Sequence, residues 1–344
     1  MDIYKLLKIN NRIKSHRIKF LGLWLLSVLN KRYLAIQMDP VLACNLRCKM
    51  CYFTDEDYVK KNMKGIFAEE NLENIAKAIF KNALKLQIGC GAEPTLFKHN
   101  TKLIEIAKNY NVPYISMVTN GNLLEKKDVS DFATAGLDEF ILSMHGVTKT
   151  TYEDLMDKGV YEKFHTVLEY ITEQKKTHPK LRLRINYTFN QDNFHELKDF
   201  FSVYDQYAID IIQLRPIDKI GETTYNKFSL KAIEESYFEV SDFLKNEAQK
   251  RKITLLYPQS IYRNENESLK VKTGNDSSYL IPYTYCYVSP KYFWKDDFDW
   301  KRETFSSWQQ RNNWNSSLLK NVLISKRKLH STNRNMLNYS VEIN

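Results

Sequence analysis

The sequence predicts an α/β protein built on a parallel sheet, either open and doubly wound or curled into a partial barrel. Short β-rich segments alternate with longer stretches of helical period from residue 34 onward. Several of those segments lack polar alternation, as strands covered on both faces do. Across 344 residues, 43% hydrophobic and 27% charged content excludes collagen, coiled coil and wholesale disorder. At roughly 150 residues per domain, this length suggests two domains or one large α/β domain with an appendage.

The predicted strands cover 34–38, 86–89, 114–119, 139–144, 182–189 and 211–214. Helical period fills the intervals at 69–83, 102–110, 129–134, 161–175 and 195–207; in the first, Leu72, Ile75, Ala76, Ile79 and Phe80 share a face. Six repeats in one direction imply right-handed crossovers, and six falls short of a complete eight-stranded barrel. In either architecture ligands bind beyond the carboxyl ends of the strands, so the residues just after each strand are where chemistry belongs. After about residue 225 the rhythm changes: a long helix at 229–250, a further strand at 253–257, and polar, turn-like residues at 263–279. Residues 281–314 are dense in Tyr, Phe and Trp, enough to pack against the mouth of a barrel.

Charge is concentrated at the start of the chain. Residues 1–32 hold eight Lys and Arg against the single acid Asp2, which is seven of the net +10. The same stretch carries an apolar run from Phe20 to Leu29 with one Trp. Two readings stay open: a helix capping the bottom of a barrel with its lysines solvated, or a helix lying in a membrane surface. A signal-peptide core fits less well, because Asn30-Lys31-Arg32 stands where small residues should mark cleavage. No run of about 18 apolar residues occurs, which excludes a membrane-spanning helix. The balance beyond residue 32 is weakly basic and no nucleic-acid module is recognisable, so nucleic acid is disfavoured as a partner.

The first strand leads into Cys44, Cys48 and Cys51, a C-x3-C-x2-C spacing. Three thiolates within eight residues can converge on one metal centre, and iron–sulfur clusters are held by cysteine thiolates. A Cys3His zinc site is the competing reading, but no His lies between His16 and His99. With five cysteines in all, the chain is no disulfide scaffold.

Four strand-end segments together carry a resemblance. They are the three-cysteine loop, Gly89-Cys90-Gly91-Ala92-Glu93-Pro94, Thr119-Asn120-Gly121 and Ser143-Met144-His145-Gly146. The chain resembles the radical S-adenosylmethionine (radical SAM) superfamily over roughly residues 34–216, which implies a partial (β/α)6 barrel of that type. The N-terminal basic helix and the aromatic-rich C-terminal extension are then additions to it. The implied division is a basic amphipathic segment at 1–33, the partial barrel at 34–225 and a C-terminal extension at 226–344. Many relatives carry a cysteine-rich SPASM or twitch domain there; with only Cys286 after residue 90, this extension reads as a degenerate SPASM-like region lacking auxiliary clusters.

By that resemblance Cys44, Cys48 and Cys51 hold three irons of a 4Fe–4S cluster, and S-adenosylmethionine chelates the fourth. Reductive cleavage would give a 5′-deoxyadenosyl radical that abstracts hydrogen from a substrate, with glycan, lipid-linked and peptide substrates all open. The implied cofactor contacts are Met50 near the adenine, Gly89, Gly91, Ala92, Glu93 and Pro94 along the methionyl amine, Asn120 and Ser143 at strand ends, and Arg215 ending the sixth strand. Ala92 departs from the family's second glycine. Asn120 and Ser143 could equally cap the following helices, and His145, Asn186 and Asn190 are further candidates for the cavity. Cys90 and Cys286 read as small buried hydrophobes. A flavodoxin- or ferredoxin-type electron donor in a reducing cytoplasm is implied, with peripheral contact of residues 1–32 at the cytoplasmic face of a membrane as an added expectation. The competing class is a non-catalytic, metal-stabilised binding module at a membrane surface.

Overall fold

The computed structural model describes residues 3–217, 223, 225, 231–258, 278–326, 329 and 341–343. Nine strands form one sheet: β1 (Leu34–Met38), β2 (Ala83–Ile88), β3 (Ile115–Thr119), β4 (Glu139–Met144), β5 (Arg182–Phe189), β6 (Ile211–Pro216), β7 (Thr254–Pro258), β8 (Tyr285–Val288) and β9 (Val341–Ile343). Their order is β8-β1-β2-β3-β4-β5-β6-β7-β9, with β9 antiparallel to β7 and all other neighbours parallel. The sheet does not close on itself, as expected for a partial barrel. Three strands extend the predicted six. β7 matches the expected segment, and β8 adds to the free edge of β1 from a distant stretch of chain. The predicted polar segment at 263–279 falls almost wholly outside the described residues.

Registered partners in parallel strands share a face, and the two faces differ sharply. Gln37, Gln87, Ser116 and Glu139 stand in one row, and Ser143, Asn186 and Gln213 in another. The opposite face carries Met38, Ile88, Met117, Phe140 and Leu183 in register, all fully or almost fully buried under the helices. The strands therefore alternate after all. Their second face is lined with polar side chains that bond one another rather than with a second apolar layer.

The N-terminal segment is two helices, α1 (Ile3–Arg12) and α2 (His16–Val28), separated at Ser15, whose hydroxyl caps α2. α1 closes the amino-terminal end of the sheet. Its Tyr4 is buried against Ile211 and Leu256, its hydroxyl donates to Glu139 and receives Arg184, and the Arg182 guanidinium lies 5.3 Å from its ring. Burial and the neighbouring Glu139 hold the Tyr4 phenol neutral. α2 packs along the helix Trp314–Leu323, with Phe20 against Tyr279 and Tyr283.

The aromatic-rich C-terminal residues divide between the two ends of β1. Trp294, Phe305, Trp308 and Trp314 cluster with Tyr33 just before β1, where the Trp314 indole donates to the Tyr33 hydroxyl at 3.0 Å. Phe293 and Trp300 pack towards Phe67, whose N–H bonds the Pro40 carbonyl beyond the end of β1, and Tyr285 and Tyr287 of β8 reach the polar face. Tryptophans need apolar burial and one hydrogen-bond acceptor; Tyr33 supplies the acceptor for Trp314, and Asp297 Oδ2 that for Trp308 at 3.1 Å.

Candidate active site

The loop after β1 carries the three cysteines on a pinned scaffold. Arg47 N–H donates to Asp157 carbonyl at 2.9 Å and Lys49 N–H to Leu155 carbonyl at 3.1 Å, tying the loop to the segment after β4. The Arg47 guanidinium donates to the Cys44 and Leu46 carbonyls. All three thiols are free and partly buried. Burial pushes the Cys44 thiol up to about 12, helped by Glu93 and Cys51, and raises Cys48 and Cys51 as well. Cys48 is raised further by neighbouring Cys51 and Cys44. Among the described residues no three His, Cys, Asp or Glu side chains converge tightly enough to hold a single ion. The loop offers three thiols and no histidine, a donor set that suits a 4Fe–4S cluster with one corner left over better than a closed tetrahedral zinc site.

The segment after β2 lies against that loop. Glu93 N–H donates to the Ala43 carbonyl at 2.8 Å, and the Tyr52 hydroxyl donates to the Gly91 carbonyl. Gly89 sits at φ +83°, and a Cβ there would lie 2.3 Å from the Val118 carbonyl oxygen. A Cβ on Gly91 would lie 2.7 Å from the Tyr52 hydroxyl. Close approach of backbone demands glycine at 89, whereas at 91 the neighbour is the Tyr52 side chain. Ala92 follows, partly exposed, and Pro94 is buried at the start of a short 3-10 turn.

Two carboxylates hold this segment. Glu93 is buried and accepts from Thr95 N–H at 3.2 Å, Thr95 Oγ1 and Thr119 Oγ1 at 2.6 Å, and Asn120 N–H at 2.8 Å. Asp39 is also buried; it accepts from Cys90 N–H at 2.7 Å, Gly91 N–H at 3.0 Å and the Tyr287 hydroxyl at 2.8 Å. Burial pushes both carboxyls up while these donors pull them back. Asp39 went unread in the sequence, where it is simply the residue after a strand.

The remaining candidates divide. Asn120 is buried, donating to Asn45 Oδ1 at 2.9 Å and accepting from Asn122 N–H at 2.9 Å, so it folds its own turn and ties to the cysteine loop. Ser143 is partly exposed on the polar face, across from Asn186. Met50 is buried in the main core. Asn190 Oδ1 accepts from Asp192 and Asn193 N–H, which makes it a turn residue, and Asn186 accepts from Arg184 Nε at 2.8 Å. His145 has a buried Nδ1 without a partner, and burial together with nearby Arg215 lowers its pKa to about 4. Arg215 is exposed at the end of β6.

Cys90 departs from expectation. It is exposed, not core, and its thiol donates to Gln37 Oε1 at 2.7 Å beside the Tyr285 hydroxyl at 3.9 Å. The positive φ of Gly89 breaks strand alternation and turns Cys90 onto the polar face. Cys286, by contrast, is fully buried in β8.

The sheet topology, with a three-cysteine loop and two glycines at adjoining strand ends, defines an open α/β protein of partial-barrel type. Residues 38–202 match the family model described as Radical SAM superfamily, so this stretch of the chain carries that superfamily's domain. The superfamily uses a 4Fe–4S cluster and S-adenosylmethionine. Among curated proteins, the Probable GTP 3′,8-cyclase of Sulfolobus acidocaldarius is 26% identical over 196 residues, 56% of this chain and 59% of its own length. That of Sulfurisphaera tokodaii is 26% identical over 204 residues, 58% of this chain and 62% of its own. The match thus spans about 60% of these relatives. Among solved structures, Streptococcus suis SuiB bound to S-adenosylmethionine superposes with a TM-score of 0.55 at 17% identity, covering 75% of this chain and 59% of that one. The structure titled "Native anSMEcpe with bound AdoMet" gives 0.52 at 20% identity, covering 64% and 62%. These likenesses establish the fold.

Proposed function

We propose that the protein is a radical SAM enzyme acting on a polar substrate, a glycan or a peptide. The reading is supported by the three partly buried thiols of the loop after β1, which the Glu93 N–H to Ala43 carbonyl bond ties to the Gly89–Pro94 segment. Bound there, the cluster and S-adenosylmethionine would supply a 5′-deoxyadenosyl radical that takes hydrogen from a C–H bond. Cys44, Cys48 and Cys51 would hold the cluster, and their buried, disfavoured thiolates need exactly such a cationic partner. Gly89 and Gly91 keep the strand end free of side chains where the methionyl end would lie, while Asp39 and Glu93 fix that backbone as positioning residues. Met50, Ala92, Pro94, Asn120, Ser143 and Arg215 are the proposed cofactor neighbours.

The substrate class rests on the sheet's second face. Gln37, Gln87, Ser143, Asn186 and Arg215 line it with polar groups, a surface that suits a hydrogen-bonding substrate better than an acyl chain. The likeness to the GTP cyclases lies in the shared core and supports the cofactor chemistry; it assigns no substrate. Electrons would come from a flavodoxin- or ferredoxin-type donor in a reducing cytoplasm. Anaerobic reconstitution with iron and sulfide, followed by reduction, should release 5′-deoxyadenosine and methionine from S-adenosylmethionine. A protein that loads one zinc, stays colourless and releases neither would refute the proposal.

A further inference from the structure

The apolar run of the N-terminal segment is only half used by the fold. α2 buries Lys19, Phe20 and Ser27 and turns its other side outward. That side consists of Ile18, Leu21, Gly22, Leu25, Leu26, Val28 and Leu29, all exposed. Their spacing of three, four and seven places them on one stripe of the helix. Ile18 is 58% and Leu29 62% exposed, and Leu323 of the neighbouring Trp314–Leu323 helix is 75% exposed. A stripe of leucines this continuous marks an interaction site.

Charge decides what covers it. Arg12, Lys14, Arg17 and Lys31 are exposed around the stripe and make no ion pair among the described residues. No acidic residue occurs between Asp2 and Asp39. A second copy would set cation against cation, so self-association is opposed. An apolar helical face rimmed by cations of one sign matches the boundary between acyl chains and anionic headgroups. No helix among the described residues is long and apolar enough to cross a membrane, so the contact is in-plane.

We infer that the outer face of α2 docks the protein onto an anionic lipid bilayer, with the leucine stripe entering the interface and Arg12, Lys14, Arg17 and Lys31 meeting headgroups. The docking is independent of the cofactor chemistry. It also fixes an orientation. α2 meets Tyr279 and Tyr283, just before β8, and leads into the start of β1, at the opposite end of the strands from the cysteines. The bilayer therefore holds the protein by its closed end, and the polar face stays open to a water-soluble substrate.

The test is sedimentation of the full-length holoprotein with vesicles of phosphatidylcholine mixed with phosphatidylglycerol, against phosphatidylcholine alone. Binding should require the anionic lipid and weaken with salt. Each of Arg17→Gln and Lys31→Gln should weaken it about fivefold. The double variant Leu21→Gln/Leu25→Gln should weaken it by about tenfold or more, since each leucine loses a large part of its transfer energy. Both leucines are exposed, so unchanged helix content and iron content will show that the variant folds. Failure to sediment with anionic vesicles overturns the inference. So does binding that ignores the leucine substitutions, or a dimer that dissociates on those substitutions while vesicles are not bound.

Discussion

The glycine at the end of β2 offers the sharpest perturbation, because the same substitution elsewhere in the chain should act in the opposite sense. Gly89→Ala places a methyl group 2.3 Å from the Val118 carbonyl oxygen and 2.8 Å from Pro94 Cγ, at φ +83°. The backbone conformation costs an L-residue about 1–2 kcal/mol. Relieving contact with a backbone carbonyl requires β2 to shift against β3, an overpacking cost of about 1–3 kcal/mol. The sum, about 2–5 kcal/mol, corresponds to a fall of roughly 5–15 °C in Tm for a domain of this size. The segment that moves is the one Asp39 and Glu93 hold, so affinity for S-adenosylmethionine should fall with it. Gly22→Ala is the control: its Cβ meets nothing within 4 Å on an exposed helix, so Tm should rise, by about 1 kcal/mol of helix propensity. Thermal unfolding of the two variants, with equilibrium dialysis of S-adenosylmethionine, reads both effects. If Gly89→Ala matches the wild type in Tm and affinity, the close-approach argument is wrong.

Three further outcomes follow from particular residues. Tyr4→Phe strands the buried Glu139 carboxylate and should cost about 1–3 kcal/mol in urea unfolding; an unchanged midpoint would mean that α1 is not a closing element. His145 is held near 4 in the fold against about 6.5 unfolded, so the unfolded chain takes the proton first as pH falls. Stability should drop between about pH 6.5 and 4 by up to roughly 3 kcal/mol, and His145→Asn should flatten that difference in denaturation midpoints. Cys48→Ala should lose most of its iron while keeping its helix content, because the core around the sheet does not depend on the metal; collapse of the circular dichroism spectrum would instead favour a metal-stabilised module.

Most of the core was legible because its signals are local. The cysteine spacing, the glycines and the strand periods each lie within a dozen residues, and the strands stand where those periods placed them. What could not be read depends on distant chain. β8 is four residues long, and nothing in Tyr285–Val288 announces pairing with β1, some 250 residues earlier. Asp39 looks like any residue after a strand until the Cys90 and Gly91 amides arrive opposite it. Tyr4 gave no sign of its role, since a phenol among leucines reveals a partner only when Glu139 is brought beneath it. Cys90 was misplaced because period-two counting runs straight through Gly89, whose positive φ resets it.

The most direct test of the central claim is electron paramagnetic resonance of the anaerobically reconstituted, reduced protein before and after S-adenosylmethionine is added. The account predicts a reduced 4Fe–4S signal that changes on addition, because one iron is left without a protein ligand and accepts the cofactor. A cluster signal that does not respond, or a protein that binds iron without forming a cluster, would contradict it.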